Sequence, residues 1–398
     1  MRQRPLRIGV VGLGFASTYT IPALAAHERV AVAGAADLRP AAREHFERQL
    51  GGETFERVED LCASSNIDAV YISTPSELHA EHAIAAAAHG KHIIVEKPMA
   101  ITQEQCDAMI VAAERAGVVL MVGHTHAYDP PIRAMRSLVK SGGLGPLVMM
   151  QTWNYTDLFY RARTAWEMDT ARGGGVVWIQ ATHQIDMLRL IGGGLVRSVR
   201  AMTGAWEETR PTEGNLVAYL EFEDGTPATM VYSGYGHFDT GELHFWIGER
   251  GQPRDPRSHA KSQTDYLARL EAGIEEEPLR EARRYGGGAS PNEAPTGLHQ
   301  HQHFFGLTVV SCQHADLRQS PYGLSMYGPE GKQEVEVEGD PSGFTTMIDE
   351  FCESVVFKTV PLHDGHWGAA SVEVCLAILQ SARERREIML AHQVPVRD

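Results

Sequence analysis

Residues 6–14 read Leu-Arg-Ile-Gly-Val-Val-Gly-Leu-Gly, and Asp37 closes the next apolar run. A buried strand that runs straight into a glycine turn, then a helix, then a second strand tipped by an acid leaves few folds open. Gly12 lets the chain turn tightly. Gly14 lets the backbone approach a pyrophosphate seated on the positive end of the following helix. Asp37 stands about 20 residues past the glycines, where a carboxylate accepts hydrogen bonds from an adenosine ribose and repels a 2′-phosphate. Arg39, two residues on, is placed to accommodate that phosphate instead. NAD is therefore the expected cofactor, with NADP as the alternative. Ser17 replaces the third glycine of the pattern, so an ordinary tight turn with a surface Asp is the competing reading.

At 398 residues the chain has room for two or three domains, and its 43% hydrophobic content is that of a globular protein with a sizeable core. A formal charge of −15 argues against nucleic acid and against an anionic membrane surface. An anionic substrate would then need a local basic cluster. Five cysteines without metal spacing point to free thiols in a reducing compartment, so a cytoplasmic location is expected. The apolar run at Ile8–Leu13 is too short for a signal peptide, and nothing approaches a membrane span.

Apolar strands are expected at Leu6–Val11, Val30–Ala36, Ala69–Ser73, His92–Val95 and Val118–Val122, with helices such as Glu77–His89 and Thr102–Ala116 between them. That alternation predicts an α/β region with a doubly wound parallel sheet over residues 1–127. Ser73-Thr74-Pro75 and Glu96-Lys97-Pro98 then fall at the carboxyl rim, where such sheets bind ligands. Residues 128–398 change character. A helix at Pro131–Lys140 precedes alternating runs at Leu147–Tyr155, Val199–Glu207, Asn215–Phe222, Thr226–Ser233, Leu243–Ile247, Thr308–Cys312, Gly323–Tyr327 and Glu334–Val337. A helix after Gly173-Gly174-Gly175 interrupts them, and helices at Thr345–Phe357 and Gly368–Ile388 close the chain. This predicts a separate α+β domain with a large, mostly antiparallel sheet. Residues 251–302, polar and poor in apolar periodicity, read as a surface insertion acting as a lid or oligomer contact.

The order of these pieces resembles the glucose–fructose oxidoreductase, inositol dehydrogenase and rhizopine-catabolism family (Gfo/Idh/MocA). The resemblance rests on the glycine turn, on Ala69–Pro75 with Leu78-His79, on Gly90-Lys91-His92 leading to Glu96-Lys97-Pro98-Met99, and on the triple glycine before a helix bearing His183. It implies a Rossmann domain, a C-terminal sheet domain, and oxidation of a secondary alcohol with NAD or NADP in a homo-oligomer, dimer or tetramer. It also implies cofactor contacts from Gly12, Gly14, Phe15, Ala16, Asp37, Arg39, Thr74, Pro75, His79, Glu96 and Lys97. Gly123-His124-Thr125-His126, Ala181–Asp186, Tyr232–Asp239, Ser311-Cys312 with Ala315–Arg318, and Pro361–Gly365 look like one branch, the phthalate 4,5-cis-dihydrodiol dehydrogenases and their chlorobenzoate relatives.

Lys97 and His183 are the candidate catalytic residues. An ammonium at the strand end stabilises an alkoxide and relays a proton, and a histidine near neutral pKa accepts one. A surface lysine and a satisfied core histidine are the plainer readings. Gln180 and Asp186 lie three residues either side of His183 and share its helix face. Sugar and inositol dehydrogenases of the family carry an Asp four residues before this His; here Ile179 stands there, which weakens the sugar reading and leaves Gln180 to orient the ring. His124 and His126 alternate along an extended segment and are expected to bind substrate carboxylate or hydroxyls, a metal pair lacking a clear third ligand. Arg161, Arg163 and Arg172 flank Trp166 and form a candidate carboxylate clamp, against ordinary surface pairing. Tyr235 and His237 are added to the substrate contacts by the resemblance alone. His299, His301 and His303 read as a solvated face.

The expected partner is a small anionic diol, foremost the phthalate cis-dihydrodiol, oxidised to a catechol. A sugar or polyol dehydrogenase and a redox-silent NAD(P)-binding protein are the alternatives.

Overall fold

The computed structural model describes residues 4–288, 301–339 and 343–397. Two compact units emerge, one of residues 4–123, 276–288 and 344–372, the other of residues 124–275, 301–339, 343 and 373–397. Along the chain the first stretch alternates β1 (Leu6–Val11), α1 (Ser17–Ala26), β2 (Val30–Ala36), α2 (Pro40–Leu50), β3 (Glu53–Phe55), α3 (Val58–Ala63), β4 (Ala69–Ile72), α4 (His79–Ala88), β5 (His92–Glu96), α5 (Gln103–Ala116) and β6 (Leu120–Gly123). These strands pair in parallel, in the order β3-β2-β1-β4-β5-β6. Ile8, Val10, Val11, Ala69 to Ile72 and Ile93 to Val95 are all buried, as strands covered on both faces must be. The order reverses between β1 and β4, and ligands of such sheets bind in the crevice outside the strand ends there.

The rest comprises α6 (Pro130–Ser141), β7 (Leu147–Tyr155), α7 (Thr182–Gly192), β8 (Val196–Gly204), β9 (Asn215–Phe222), β10 (Pro227–Ser233), α8 (Ser258–Glu271), α9 (Glu276–Glu281), β11 (Leu307–Cys312), β12 (Asp316–Ser320), β13 (Gly323–Gly328), β14 (Gly331–Glu336), α10 (Phe344–Phe357), α11 (Gly365–Glu384) and β15 (Ile388–Met389). Among the described residues the second unit's sheet runs β14-β13-β12-β11-β7-β10-β9-β8-β15. Only β7 and β10 pair in parallel. Along β9, Leu216, Ala218, Leu220 and Phe222 point inward while Val217 and Tyr219 stay exposed, the period-2 pattern of a one-sided sheet. Gln184 of α7 anchors that helix to the inner face, donating to Thr152 Oγ1 and the Val231 carbonyl, both at 3.2 Å.

Several expected elements differ. Leu243–Ile247 is not a strand. Asp239 caps a 3-10 turn over Thr240–His244, the Trp246 N–H closes onto the Gly241 carbonyl at 2.8 Å, and Phe245 and Trp246 take positive φ. β8 runs earlier than expected, because at Gly204 the chain closes onto the Gly214 N–H (2.9 Å). β12 escaped the pattern because its alternation is carried by Leu317 and a buried amide, Gln319, whose Nε2 donates to the His303 carbonyl at 2.9 Å. α11 starts early, capped by Asp364 accepting from the Trp367 N–H at 2.8 Å, and Ile388 pairs with Val199 instead of extending it. Residues 251–302 divide: α8 folds with the second unit and α9 with the first.

Local signals set α5 cleanly. Thr102 Oγ1 accepts from the Gln105 N–H at 3.2 Å, and Gly117 at φ 65° ends the helix. Thr102→Ala is expected to cost about 1 kcal/mol and lower the thermal midpoint by a few degrees at most in differential scanning calorimetry.

Candidate active site

In the first unit the site is built around Gly12. Its φ of 87° is left-handed, and a Cβ there would meet Thr74 Cγ2 at 2.8 Å and the Thr74 N at 3.1 Å. Ser17, in the third-glycine position, donates to the Gly12 carbonyl at 2.7 Å, and Ser73 does the same from the end of β4. The two hydroxyls also meet each other at 2.9 Å. The serine substitution thus replaces a close helix–strand approach with a hydrogen bond that holds the turn. Gly14 is different: a Cβ there would meet only the Ser73 carbonyl oxygen, at 3.6 Å, so the backbone lies open to a ligand.

Asp37 sits at the tip of β2, accepting from the Leu13 N–H at 2.7 Å and the Arg39 N–H at 2.8 Å. Arg39 folds back over it, Nε to Oδ1 at 3.1 Å, and also bonds the Leu13 carbonyl. Phe15 packs edge-on against Tyr19, while Ala16 is the residue preceding α1. Glycine turn, open Gly14 backbone and the acid at the tip of β2 together fit an adenosine dinucleotide, whose pyrophosphate these backbone amides would hold.

The other rim loops are tied by one side chain. His79, 1% exposed, sets Nε2 at 2.8 Å from the Thr74 carbonyl and Nδ1 at 2.9 Å from the Pro98 carbonyl. Both ring nitrogens face backbone, so His79 is a positioning residue rather than the cofactor contact expected. Burial pushes its pKa down to about 4, against the carbonyl bonds that raise it. Thr74 Oγ1 meets His82 Nδ1 at 3.0 Å, and Pro75 leads into a 3-10 turn at Ser76–Leu78. Glu96 ends β5 and Lys97 follows it, both half-buried, ahead of a cis Lys97–Pro98 bond. Tyr71 donates to Glu96 Oε1 at 2.7 Å, and Glu96 Oε2 accepts the Lys97 N–H at 3.2 Å. Burial raises the Glu96 carboxyl above its usual range; the Lys97 ammonium and the Tyr71 hydroxyl oppose that. Tyr71 and Ser73, unassigned from sequence, are therefore part of this site.

The second unit holds a histidine cluster. After His124 the chain turns into a 3-10 helix at Thr125–Tyr128, so the expected extended alternation of His124 and His126 does not form. His124 is buried, its Nδ1 3.7 Å from the Asp186 carboxylate. His126 Nδ1 lies 2.8 Å from Asp129 Oδ2. The His126 ring meets the His183 ring edge-on at 4.8 Å, and the Phe305 ring lies 4.7 Å from each. Phe305 carried no periodic signal, standing next to the polar stretch. His183 lies in the first turn of α7, just after a π-helical stretch at Val177–Ala181. Ile179, Gln180 and His183 keep partial exposure, whereas Asp186 is buried. His303 is buried, 3.5 Å from Asp129, and not on a solvated face; His299 lies outside the described residues. No group of three His, Cys, Asp or Glu able to hold a metal occurs among the described residues.

The triple glycine serves packing. A Cβ on Gly175, at φ 82°, would overlap the Glu213 carboxyl, and one on Gly174 would overlap the Trp166 carbonyl. The arginines separate. Arg163 is buried, spent on Glu167 (2.9 Å) and the Leu158 carbonyl, which removes it as a clamp. Arg161 pairs through Nε and Nη2 with Asp157, yet its side chain is 41% exposed. Arg172 is exposed at the end of a 3-10 turn, and Trp166 is half-buried in the turn before it. The Tyr235 ring lies tilted against Phe159 at 4.9 Å and over Gly214, whose missing side chain makes room for it, and His237 is exposed.

A doubly wound sheet with this glycine turn and an acid at the tip of β2, in a chain that also carries a mixed-sheet unit with a histidine cluster, defines a dinucleotide-dependent oxidoreductase. Residues 6–124 match the oxidoreductase family with an NAD-binding Rossmann fold, and residues 132–253 match the GFO/IDH/MocA C-terminal domain. The chain is 35% identical to the 1-carboxy-3-chloro-3,4-dihydroxycyclohexa-1,5-diene dehydrogenase of Comamonas testosteroni, over 95% of each. A Bordetella bronchiseptica RB50 crystal structure described as a dehydrogenase superposes with a TM-score of 0.89 at 40% identity, covering 97% of this chain and all of that one. Levoglucosan dehydrogenase with NADH and levoglucosan shares the fold (TM-score 0.73, 17% identity, 97% and 99% covered). The chain belongs to the Gfo/Idh/MocA oxidoreductases. It has an NAD-binding domain, and among the described residues no helix is long and apolar enough to cross a membrane.

Gly12→Ala is expected to weaken NADH binding about tenfold or more by fluorescence titration, since the new methyl displaces the Thr74 backbone. His79 is neutral in the folded protein down to about pH 4, whereas unfolded chains protonate near 6.5. The unfolded state therefore binds more protons between those values, and stability falls as pH drops through that window, by on the order of 2–3 kcal/mol. His79→Gln is expected to flatten that slope in urea titrations at pH 7 and pH 4.5.

Proposed function

We propose that the protein oxidises a dihydrodiol of an aromatic carboxylate to the corresponding catechol. The observation that carries the reading is the face around His183. The Phe305 ring, itself buried, backs His183 at 4.7 Å as an apolar wall, and the partly exposed residues four and three positions before it in the chain are Ile179 and Gln180. A flat cyclohexadiene with two hydroxyls suits that wall, whereas a sugar would leave more polar groups to satisfy. The relative from Comamonas testosteroni, whose named substrate carries a carboxyl and two adjacent ring hydroxyls, supports the same choice. The phthalate diol remains the leading substrate.

The bound dinucleotide supplies the hydride acceptor. Either His183 or Lys97 takes the hydroxyl proton. The carbinol C–H bond breaks as hydride leaves and the O–H proton passes to the base. The resulting hydroxy-dienone loses its ring proton on tautomerising to the catechol. One diol and one oxidised dinucleotide thus yield one catechol, one reduced dinucleotide and one proton. Arg161, with Nη1 beyond the Asp157 pair, and the exposed Arg172 are the remaining carboxylate partners. Exposed Met149, Trp153, Val217 and Tyr219 on one face of the second unit's sheet support a homo-oligomer. The five cysteines, all buried and none in a disulfide, suit a cytoplasmic enzyme.

Lys97→Ala and His183→Ala are each expected to lower kcat about 100-fold or more with NADH affinity near wild type. The substrate reading is tested on matched cis-diols with and without the carboxylate, followed by NADH absorbance. The acid should be preferred, and Arg161→Ala or Arg172→Ala should erode that preference. Equal turnover of the uncharged diol, or of a cyclic polyol, refutes the aromatic-acid assignment.

A further inference from the structure

Residues 276–288 lie outside both family-matched stretches, yet they fold onto the glycine turn of the first unit. The Tyr285 N–H donates to the Gly14 carbonyl at 3.2 Å. The Tyr285 ring packs edge-on against His45 of α2 at 5.1 Å, and its hydroxyl bonds Gln49. Gly286 sits against His45 and Ala42, where a Cβ would come within 3.1 Å of His45 Cβ. Arg280 lies 4.3 Å over the Phe15 ring, with Arg283 at 5.6 Å. The segment is therefore fixed by backbone, ring and cation–π contacts at the end of the sheet where the adenosine is held.

Its one acid in this contact meets the cofactor-discriminating arginine. Arg39 gives Nε to Asp37 and Nη2 to Asp37 and the Leu13 carbonyl; Glu281 takes the remaining edge, Oε2 to Nη1 at 3.4 Å. Arg284 bonds the other Glu281 oxygen, and Arg43 bonds the Asp37 carbonyl at 2.6 Å. Arg39 is the residue a 2′-phosphate would need. Here its donors are spent on two carboxylates and a carbonyl, and both carboxylates repel a dianion brought to it.

We propose that Glu281, delivered by this extra segment, is a specificity-determining residue that selects NAD over NADP by holding Arg39 on Asp37. Glu281 acts through Arg39 and has no part in the alcohol chemistry. The inference rests on the NAD-binding domain and is independent of which alcohol is oxidised.

Fluorescence titration with NADH and NADPH, without substrate, tests it. Wild type should bind NADH more tightly. Glu281→Gln should tighten NADPH about tenfold, because one nearby negative charge is gone and Arg39 is released, with NADH within about twofold. The gain should vanish in the Glu281→Gln/Arg39→Ala double variant. Three results overturn the proposal: wild type prefers NADPH; Glu281→Gln leaves the NADPH-to-NADH ratio unchanged, including by weakening both alike; or the gain survives loss of Arg39. A thermal melt of each variant separates a lost fold from lost selection, and Arg39→Ala alone, which should not improve NADPH, keeps the test open if the glutamine variant is unstable.

Discussion

The carbonyl of Gly12 is the point on which the cofactor half depends. It sits in a left-handed turn too close to Thr74 for any side chain, and two serine hydroxyls converge on it. One comes from the helix that follows the turn, the other from the neighbouring strand across the reversal in strand order. The turn, the helix start and the β4 end are thereby fixed as one body, and the open Gly14 backbone is presented in a set direction. The Leu13 amide then locates Asp37, so the acid at the tip of β2 is held by the glycine loop itself.

A comparable economy operates at the Lys97 rim. His79 joins the loop after β4 to the turn after Lys97 through two backbone carbonyls, and burial keeps it neutral. A protonated ring would satisfy both carbonyls fully, yet desolvation outweighs that gain. Glu96 shows the same contest with the opposite charge, burial working against the Lys97 ammonium and the Tyr71 hydroxyl. These groups set where Lys97 starts and what field it feels.

In the second unit, buried acids organise the histidines pair by pair. Asp186 faces His124, and Asp129 faces both His126 and His303. His183 packs against the rings of His126 and Phe305, and it keeps partial exposure, as Ile179 does. Each of these acids is itself buried, so the histidine facing it also supplies its compensating polar partner.

Local chemistry written in the chain determined a great deal. The strand–glycine–helix order, the acid at the tip of β2, the apolar parallel strands and the Glu-Lys-Pro rim follow from steric and burial rules that act over a few residues. Leu243–Ile247 had strand composition but was claimed by an Asp cap and two positive-φ residues, and β12 hid its alternation behind a buried glutamine. Tertiary structure alone decided which charges are spent. Arg163 looks like a clamp until Glu167 and the Leu158 carbonyl close on it, and His303 looks solvated until Asp129 is found beside it. It also decided that Glu281, 242 positions from Arg39 in the chain, meets its guanidinium. Pairing of this kind depends on which loops the fold brings together and how far each group is desolvated, and neither is encoded in the spacing of neighbouring residues.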